Sequence, residues 1–231
     1  MNNKDWIETF ENEEEPVRIK NRLLDLSSSC FRMISEDLED KSWPMNHEKH
    51  TMEEFLEIAK FGVRGFYQGR LESEVVKKEI KNFLRKNINL DPYRAIVQRH
   101  LENKEEAVRN FMLDLKDYEF DVTIPVMNGG LEPALLVKSR DGIIPVRYST
   151  IKYSDKEPYV PPCYEKDLKG DIEKKSILIT EDIIATGESI LGIAGLVKSL
   201  DPEELYLSTV KWEGGEICGN EKIKDTLWRY V

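Results

Sequence analysis

Hydrophobic positions follow two different periods along this chain. From Pro16 to about Leu38, residues Val17, Ile19, Leu23, Leu24, Leu26, Cys30, Phe31, Ile34 and Leu38 recur mostly at helical spacing. The segment "KSWPMNHEKH" interrupts that pattern at Pro44. Thr51 followed by Glu54 forms a capping box, and Phe55, Ile58, Ala59 and Val63 continue a helical face behind it. Gly65 and Gly69 predict that this helix ends near Gln68. A further amphipathic segment runs from Glu72 to Lys86 with Val75, Val76, Ile80, Phe83 and Leu84 inward. Asp91-Pro92 starts another helix, and Lys104 to about Lys116 carries Ala107, Val108, Phe111, Met112 and Leu115 on one face. The acidic run "ENEEE" reads as a solvated leader to the first helix.

After Tyr118 the period changes. "FDVTIPVM" predicts a strand rich in β-branched residues, "GGLEPALLVKSR" a turn and helix, and "GIIPVRYSTIKY" a second strand. Pro145 marks the second strand as an edge or as irregular. "SILIT" predicts a third strand, "GESILGIAGLVKSL" a helix, "ELYLSTVKW" a fourth strand and "TLWRYV" a fifth. This alternation predicts an α/β fold, a mostly parallel sheet flanked by helices, preceded by an all-helical N-terminal region. The expected division is 1–117 for the helical region and 118–231 for the α/β core. Between Lys152 and Gly170, "KYSDKEPYVPPCYEKDLKG" shows no periodicity, and its length and polar content suit a lid over a polar ligand.

Composition narrows the partners. Aromatic residues (four Trp, nine Tyr, eight Phe) and 40% hydrophobic content are enough for a proper core. A net charge of -10 argues against a general nucleic-acid or membrane-surface binder, which needs a basic footprint. The acidic start lacks an apolar signal region, and no apolar run approaches the ~18 residues of a membrane span. With the scattered Cys30, Cys163 and Cys218 read as reduced thiols, a cytoplasmic protein is expected. "HEKH", His47 to His50, has metal-like spacing but no clustered ligands beside it and reads as a surface turn, and His100 reads as a lone helical histidine, neither of them a metal site.

In open α/β sheets, ligands bind beyond the carboxyl ends of the strands. "MNGG", Met127 to Gly130, brings backbone N–H groups to that edge, and Arg147 is a potential bidentate donor to phosphate. The stretch "SILITEDIIATGESI" is more specific. Thr186, Gly187 and Ser189 open a helix whose N-terminus favours a phosphate. Directly before them, Glu181 and Asp182 supply acceptors suited to vicinal sugar hydroxyls or to a hydrated Mg²⁺. A phosphate pocket beside such a clamp describes a phosphorylated pentose.

"ILITEDIIATGES" resembles the signature of type I phosphoribosyltransferases, "VMNGG" resembles their pyrophosphate loop, and "IIPVRYSTIKYS" their second strand leading into a flexible loop. The resemblance covers roughly Phe120 to Leu200 and leaves out the helical first half. It implies that Glu181 and Asp182 hold the ribose hydroxyls of phosphoribosyl pyrophosphate (PRPP), and that Ala185, Thr186, Gly187, Glu188 and Ser189 wrap the 5-phosphate. Asn128, Gly129 and Arg147 would face pyrophosphate with Mg²⁺, which is held mainly through PRPP rather than by side chains. A flexible loop containing Lys152, Tyr153, Ser154 and Lys156 would close during reaction. Family members are often dimers, which implies a homo-oligomer.

Two positions depart from the family pattern. Hypoxanthine-guanine enzymes commonly carry Asp where this chain has Ala185, whereas adenine and orotate enzymes often have Ala. Glu188 stands where members tend to have Gly or a basic residue, so it is expected to offer its N–H and turn its carboxylate outward. The base-recognition region is not marked; Trp212 and Trp228 are candidates to stack on a base, though core packing suits each better. The resemblance implies a Mg²⁺-dependent transferase that moves the phosphoribosyl group from PRPP to a nitrogenous base or related acceptor, releasing pyrophosphate. A PRPP-sensing regulator or partner-binding protein with little catalysis stays open beside it.

Overall fold

The computed structural model describes residues 3–35, 45–86, 104–127, 129–148, 157–184, 186–212 and 227–230. The readings made on Asn128, Ala185, Lys152, Tyr153, Ser154, Lys156, His100, Cys218 and the Asp91-Pro92 helix start lie outside the described residues, as do the side chains of His47 and Trp212. By packing, the chain forms two compact units, Met1–Arg99 and His100–Val231.

The first unit is helical: α1 (Asn3–Glu11), α2 (Pro16–Ser35), α3 (Met45–Tyr67) and α4 (Ser73–Leu84). Helix α1 was not foreseen. Its start is acidic, yet Trp6 and Phe10 stand one turn apart and are both buried, which is what anchors so short a helix. Thr51 is not an N-cap, because α3 begins six residues earlier and encloses it as a buried interior residue. A capping box is a local option, and helical residues upstream override it. The end of α3 is close to expectation: Arg70 N–H donates to the Gly65 carbonyl at 2.8 Å and Gly69 N–H to that of Phe66 at 3.0 Å. On α4, Val76, Ile80, Phe83 and Leu84 are buried as predicted, with the Phe83 ring 5.3 Å from that of Phe55, whereas Val75 is exposed. Buried Ser27, Ser28 and Ser29 on α2 satisfy their hydroxyls on carbonyls one turn back.

The second unit opens with α5 (Lys104–Asp114) and then builds β1 (Glu119–Met127), α6 (Leu131–Leu136), β2 (Lys138–Ile143), β3 (Val146–Tyr148) and β4 (Pro158–Tyr159). Short helices α7 (Pro162–Glu165) and α8 (Leu168–Ile172) follow, then β5 (Ser176–Ile184), α9 (Glu188–Lys198), β6 (Glu204–Trp212) and β7 (Leu227–Arg229). The described strands form one seven-stranded sheet in the order β4-β3-β1-β5-β6-β7, with β2 also paired to β1. Pairings of β1 with β2, β3 and β5, and of β5 with β6, are parallel; β4 and β7 join antiparallel at the edges. This is the expected mostly parallel α/β sheet.

Three local readings change. The helix after the Gly-Gly turn spans only "LEPALL", because "KSRDGI" continues as β2 along β1. Its polar residues hide a strand from any periodicity test. The predicted second strand starts later, as β3, and Pro145 stands in the gap before it; there Ile144 N–H still reaches the Thr123 carbonyl at 3.0 Å. The stretch 157–170 contains β4, α7 and the start of α8, with Cys163, Tyr164 and Leu168 buried, so this part is packed structure rather than open loop.

One cluster of Phe111, Leu115, Phe120, Val137 and Leu178, flanked by Tyr206, Val210 and Leu227, locks α5 onto the sheet. Cys30 and Cys163 are buried and in no disulfide, and burial pushes the Cys30 thiol far above its ordinary range. Among the described residues, no helix is long and apolar enough to cross a membrane. Phe111→Ala is expected to cost about 3–5 kcal/mol in denaturant unfolding, the usual loss for a buried aromatic; a loss below about 1 kcal/mol would mean that α5 is not anchored as described.

Candidate functional site

Strand β5 carries Ile177, Leu178, Ile179 and Thr180 through the core without solvent contact, and only then reaches Glu181 and Asp182. The strand does not end at Thr180 as "SILIT" suggested. Pairing with β6 continues through Glu181–Thr209 to Ile184–Trp212, whereas pairing with β1 stops at Pro125–Thr180. Pro125 has no N–H to extend that ladder, and β1 continues through Val126 and Met127 paired with β3 before its glycine turn. The two acids therefore lie inside a strand that has lost one neighbour.

The glycine turn closes on them. Gly130 N–H donates to the Val126 carbonyl and Thr180 Oγ1 donates to the Gly130 carbonyl, both at 2.8 Å. A Cβ on Gly130 would stand 2.8 Å from the Thr180 carbonyl carbon; on Gly129 it would stand 2.6 Å from Asp182 Cγ and 2.9 Å from Glu181 Oε1. Gly130 has no room for a side chain because it meets backbone, and a side chain at Gly129 would displace the two acids.

Asp182 is held from several directions. Its Oδ1 accepts the Ile183 N–H at 2.9 Å, its Oδ2 the Lys104 ammonium at 3.1 Å, and its carbonyl the Thr209 hydroxyl at 3.3 Å. Lys104, from the first turn of α5, also pairs with Glu132 of α6 at 3.2 Å. Burial works against the Lys104 charge, but attraction from Glu132 and Asp182 outweighs it and leaves the ammonium held more firmly than usual. Burial, and then repulsion from Asp182, push the Glu181 carboxyl well above the ordinary carboxylate range, with Lys104 partly opposing. Neither Lys104 nor Glu132 was legible as a site residue: one read as the start of an amphipathic helix, the other as part of a turn and helix. The available signal was an acid placed alone in the apolar run "LEPALL".

Following Ile184, the chain turns into α9 through Gly187, whose φ of 77° lies in the left-handed region. Thr186 is exposed, Ser189 and Glu188 are half-buried, and Glu188 N–H donates to Thr186 Oγ1 at 3.3 Å. Glu188 also stands in the first turn, where a carboxylate complements the helix dipole. Arg147 is half-buried on β3, in register with Met127 of β1 and Tyr159 of β4, and so reaches the same sheet edge from the opposite side of β1. The structure thus brings together Glu181, Asp182 and Gly129, with Thr186 to Ser189 next along the chain and Arg147 one strand beyond. Trp228 lies half-buried on edge strand β7, and His50 is exposed. Among the described residues, no group of three or more His, Cys, Asp or Glu side chains is arranged to hold a metal ion.

No family model and no curated protein matches the chain. Among solved structures it is similar to a purine phosphoribosyltransferase from Pyrococcus horikoshii Ot3, with 21% identity and a TM-score of 0.38 over 49% of this chain and 83% of that one. It is also similar to a hypoxanthine-guanine phosphoribosyltransferase from Bacillus anthracis, with 23% identity and a TM-score of 0.33 over 46% of this chain and 64% of that one. A second structure of the latter, with HEPES in the active site, gives 20% identity and a TM-score of 0.38 over 55% and 78%.

The buried acid has a pH signature. Because Glu181 binds its proton more tightly folded than unfolded, stability falls as pH rises from about 4.5 towards the raised folded value. Glu181→Gln is expected to remove that slope and to raise the unfolding midpoint at neutral pH; an unchanged slope would mean that the carboxyl is solvated.

Proposed function

We propose that this chain is a phosphoribosyltransferase that transfers the 5-phosphoribosyl group from PRPP to a nitrogenous base or related acceptor and releases pyrophosphate. The observation that carries the reading is the acid pair of β5 packed against the Gly129 backbone, one short turn before the N-terminus of α9. Vicinal hydroxyls need adjacent acceptors, and a 5-phosphate needs N–H groups a few ångströms further on. The strand–turn–helix sequence of Glu181 to Ser189 offers both in that order, and its resemblance to the family signature supports the same assignment.

In this reading Glu181 and Asp182 accept hydrogen bonds from the ribose hydroxyls. Ala185, Thr186, Gly187, Glu188 and Ser189 surround the 5-phosphate, and Asn128, Gly129 and Arg147 face the departing pyrophosphate. Lys152, Tyr153, Ser154 and Lys156 belong to the segment that closes over the sugar and excludes water. The C1–oxygen bond to pyrophosphate breaks as the acceptor nitrogen bonds to C1, with positive charge developing on the ribose ring. Positioning and electrostatics then carry most of the rate.

Asp182 is already neutralised by Lys104, and Glu181 is buried with a raised pKa, so this donor set suits Mg²⁺ bound through the ligand's own oxygens rather than through these side chains. Bound in that way, Mg²⁺ would neutralise charge on the leaving pyrophosphate.

The second reading, a PRPP-sensing regulator, is favoured by one specific feature. Glu188 places a carboxylate in the first turn of α9 and its N–H is already taken by Thr186, both of which oppose a tightly bound phosphate. A panel of purine, pyrimidine and non-base acceptors, tested for pyrophosphate release with PRPP and Mg²⁺, separates the two. Release with one acceptor class supports the transferase, and PRPP binding without release from any acceptor supports the sensor. Asp182→Asn is expected to weaken PRPP binding at least tenfold by calorimetry, and unchanged affinity would remove the ribose clamp.

A further inference from the structure

We propose that Lys104 is a positioning residue for the sugar site, holding the Asp182 carboxylate in one orientation, with Glu132 as the buried anchor that holds Lys104 in place. The proposal rests on the ribose-phosphate reading of the acid pair.

A lysine is rarely buried, since its long stem loses rotamer freedom and its charge loses water. Here the Lys104 side chain is only 6% exposed. Its two carboxylate partners are not equivalent: Glu132 is 1% exposed and Asp182 is 19% exposed. A single buried partner is enough to neutralise an ammonium. The second contact, to the more accessible acid, calls for a different explanation.

Asp182 supplies it. Each carboxylate oxygen has two acceptor positions, and one on each is already filled, Oδ1 by the Ile183 N–H and Oδ2 by Lys104. The two bonds fix the rotation of the group and, together with the hydrogen bond it shares with the Glu181 carboxyl, still leave acceptor capacity on its oxygens. That remainder is what a sugar diol requires. Among the described residues, the charged groups around this pair include Lys104 on α5, Glu132 on α6, and Glu181 with Asp182 on β5, while β6 contributes the Thr209 hydroxyl to the Asp182 carbonyl. Lys104 also offsets the mutual repulsion of the two acids, and so limits the rise at Glu181. Without it, the clamp would lose both its orientation and its counter-charge.

The competing explanation is that Lys104 merely ties α5 to α6. Three variants distinguish the two, each measured for thermal midpoint and for PRPP affinity by calorimetry with Mg²⁺. Lys104→Met leaves Glu132 buried without its cation, and is expected to lower the midpoint and weaken PRPP binding about tenfold or more. In the double variant Lys104→Met with Glu132→Met, two buried charges give way to apolar groups of similar size, so the midpoint is expected to recover while the affinity does not. Lys104→Arg keeps the charge and is expected to retain most of the affinity. The proposal is overturned if affinity recovers together with the midpoint in the double variant, or if Lys104→Met binds PRPP as tightly as the unsubstituted protein. Failure of the unsubstituted protein to bind PRPP overturns the sugar-site reading itself, and this proposal with it.

Discussion

Taking a carboxylate out of water costs several kcal/mol unless its charge is matched, and β5 carries two in succession at the end of a core strand. The second unit is arranged around that constraint. β1 stops pairing with β5 one residue before the acids, a glycine turn fills the space where a side chain at Gly129 would collide with them, and a lysine from a helix outside the sheet supplies counter-charge. Two of these features also have reasons of their own: Pro125 cannot extend the ladder, and Gly130 lies against the Thr180 backbone; the contact between Lys104 and Asp182 is the one that the acids alone explain. Residual strain remains in the raised pKa of Glu181, a stability cost of the kind found at binding sites.

The apolar cluster beneath the sheet serves the same end. Phe111 and Leu115 dock α5 against Phe120 and Leu178, and that docking sets the position of the first turn of the helix, from which Lys104 extends. Orientation of one carboxylate thus depends on an aromatic contact two turns away along α5. The helical first unit satisfies its own packing, with α1 anchored by Trp6 and Phe10 and α4 by its buried stripe.

Strands that run through the core were readable because their β-branched runs have no other explanation; "SILIT" and "ELYLSTVKW" both lie within observed strands. β2 was not, since "KSRDGI" is held by backbone pairing to β1 while its side chains are largely polar and exposed. The same limit hid the true end of β5: "TEDII" stays in the ladder because β6 runs beside it, a fact of tertiary pairing that local composition does not encode. Thr51 failed in the opposite direction, a strong local signal overruled by its neighbours. Within the site, Glu181, Asp182, Gly129 and the Thr186–Ser189 turn stood out because they are contiguous motifs. Lys104 and Glu132 did not, because their meaning arises only when α5 brings Lys104 to Asp182 from 78 residues away and α6 brings Glu132 to the same ammonium.

The central claim is that Glu181 and Asp182 together grip a vicinal diol. Calorimetric comparison of ribose 5-phosphate with 2-deoxyribose 5-phosphate tests it most directly, because the two ligands share the phosphate and differ by one hydroxyl. An acid clamp left with an unused acceptor loses one hydrogen bond to a charged group, so the deoxy sugar is expected to bind about tenfold or more weakly. Equal affinity for the two sugars would contradict the account.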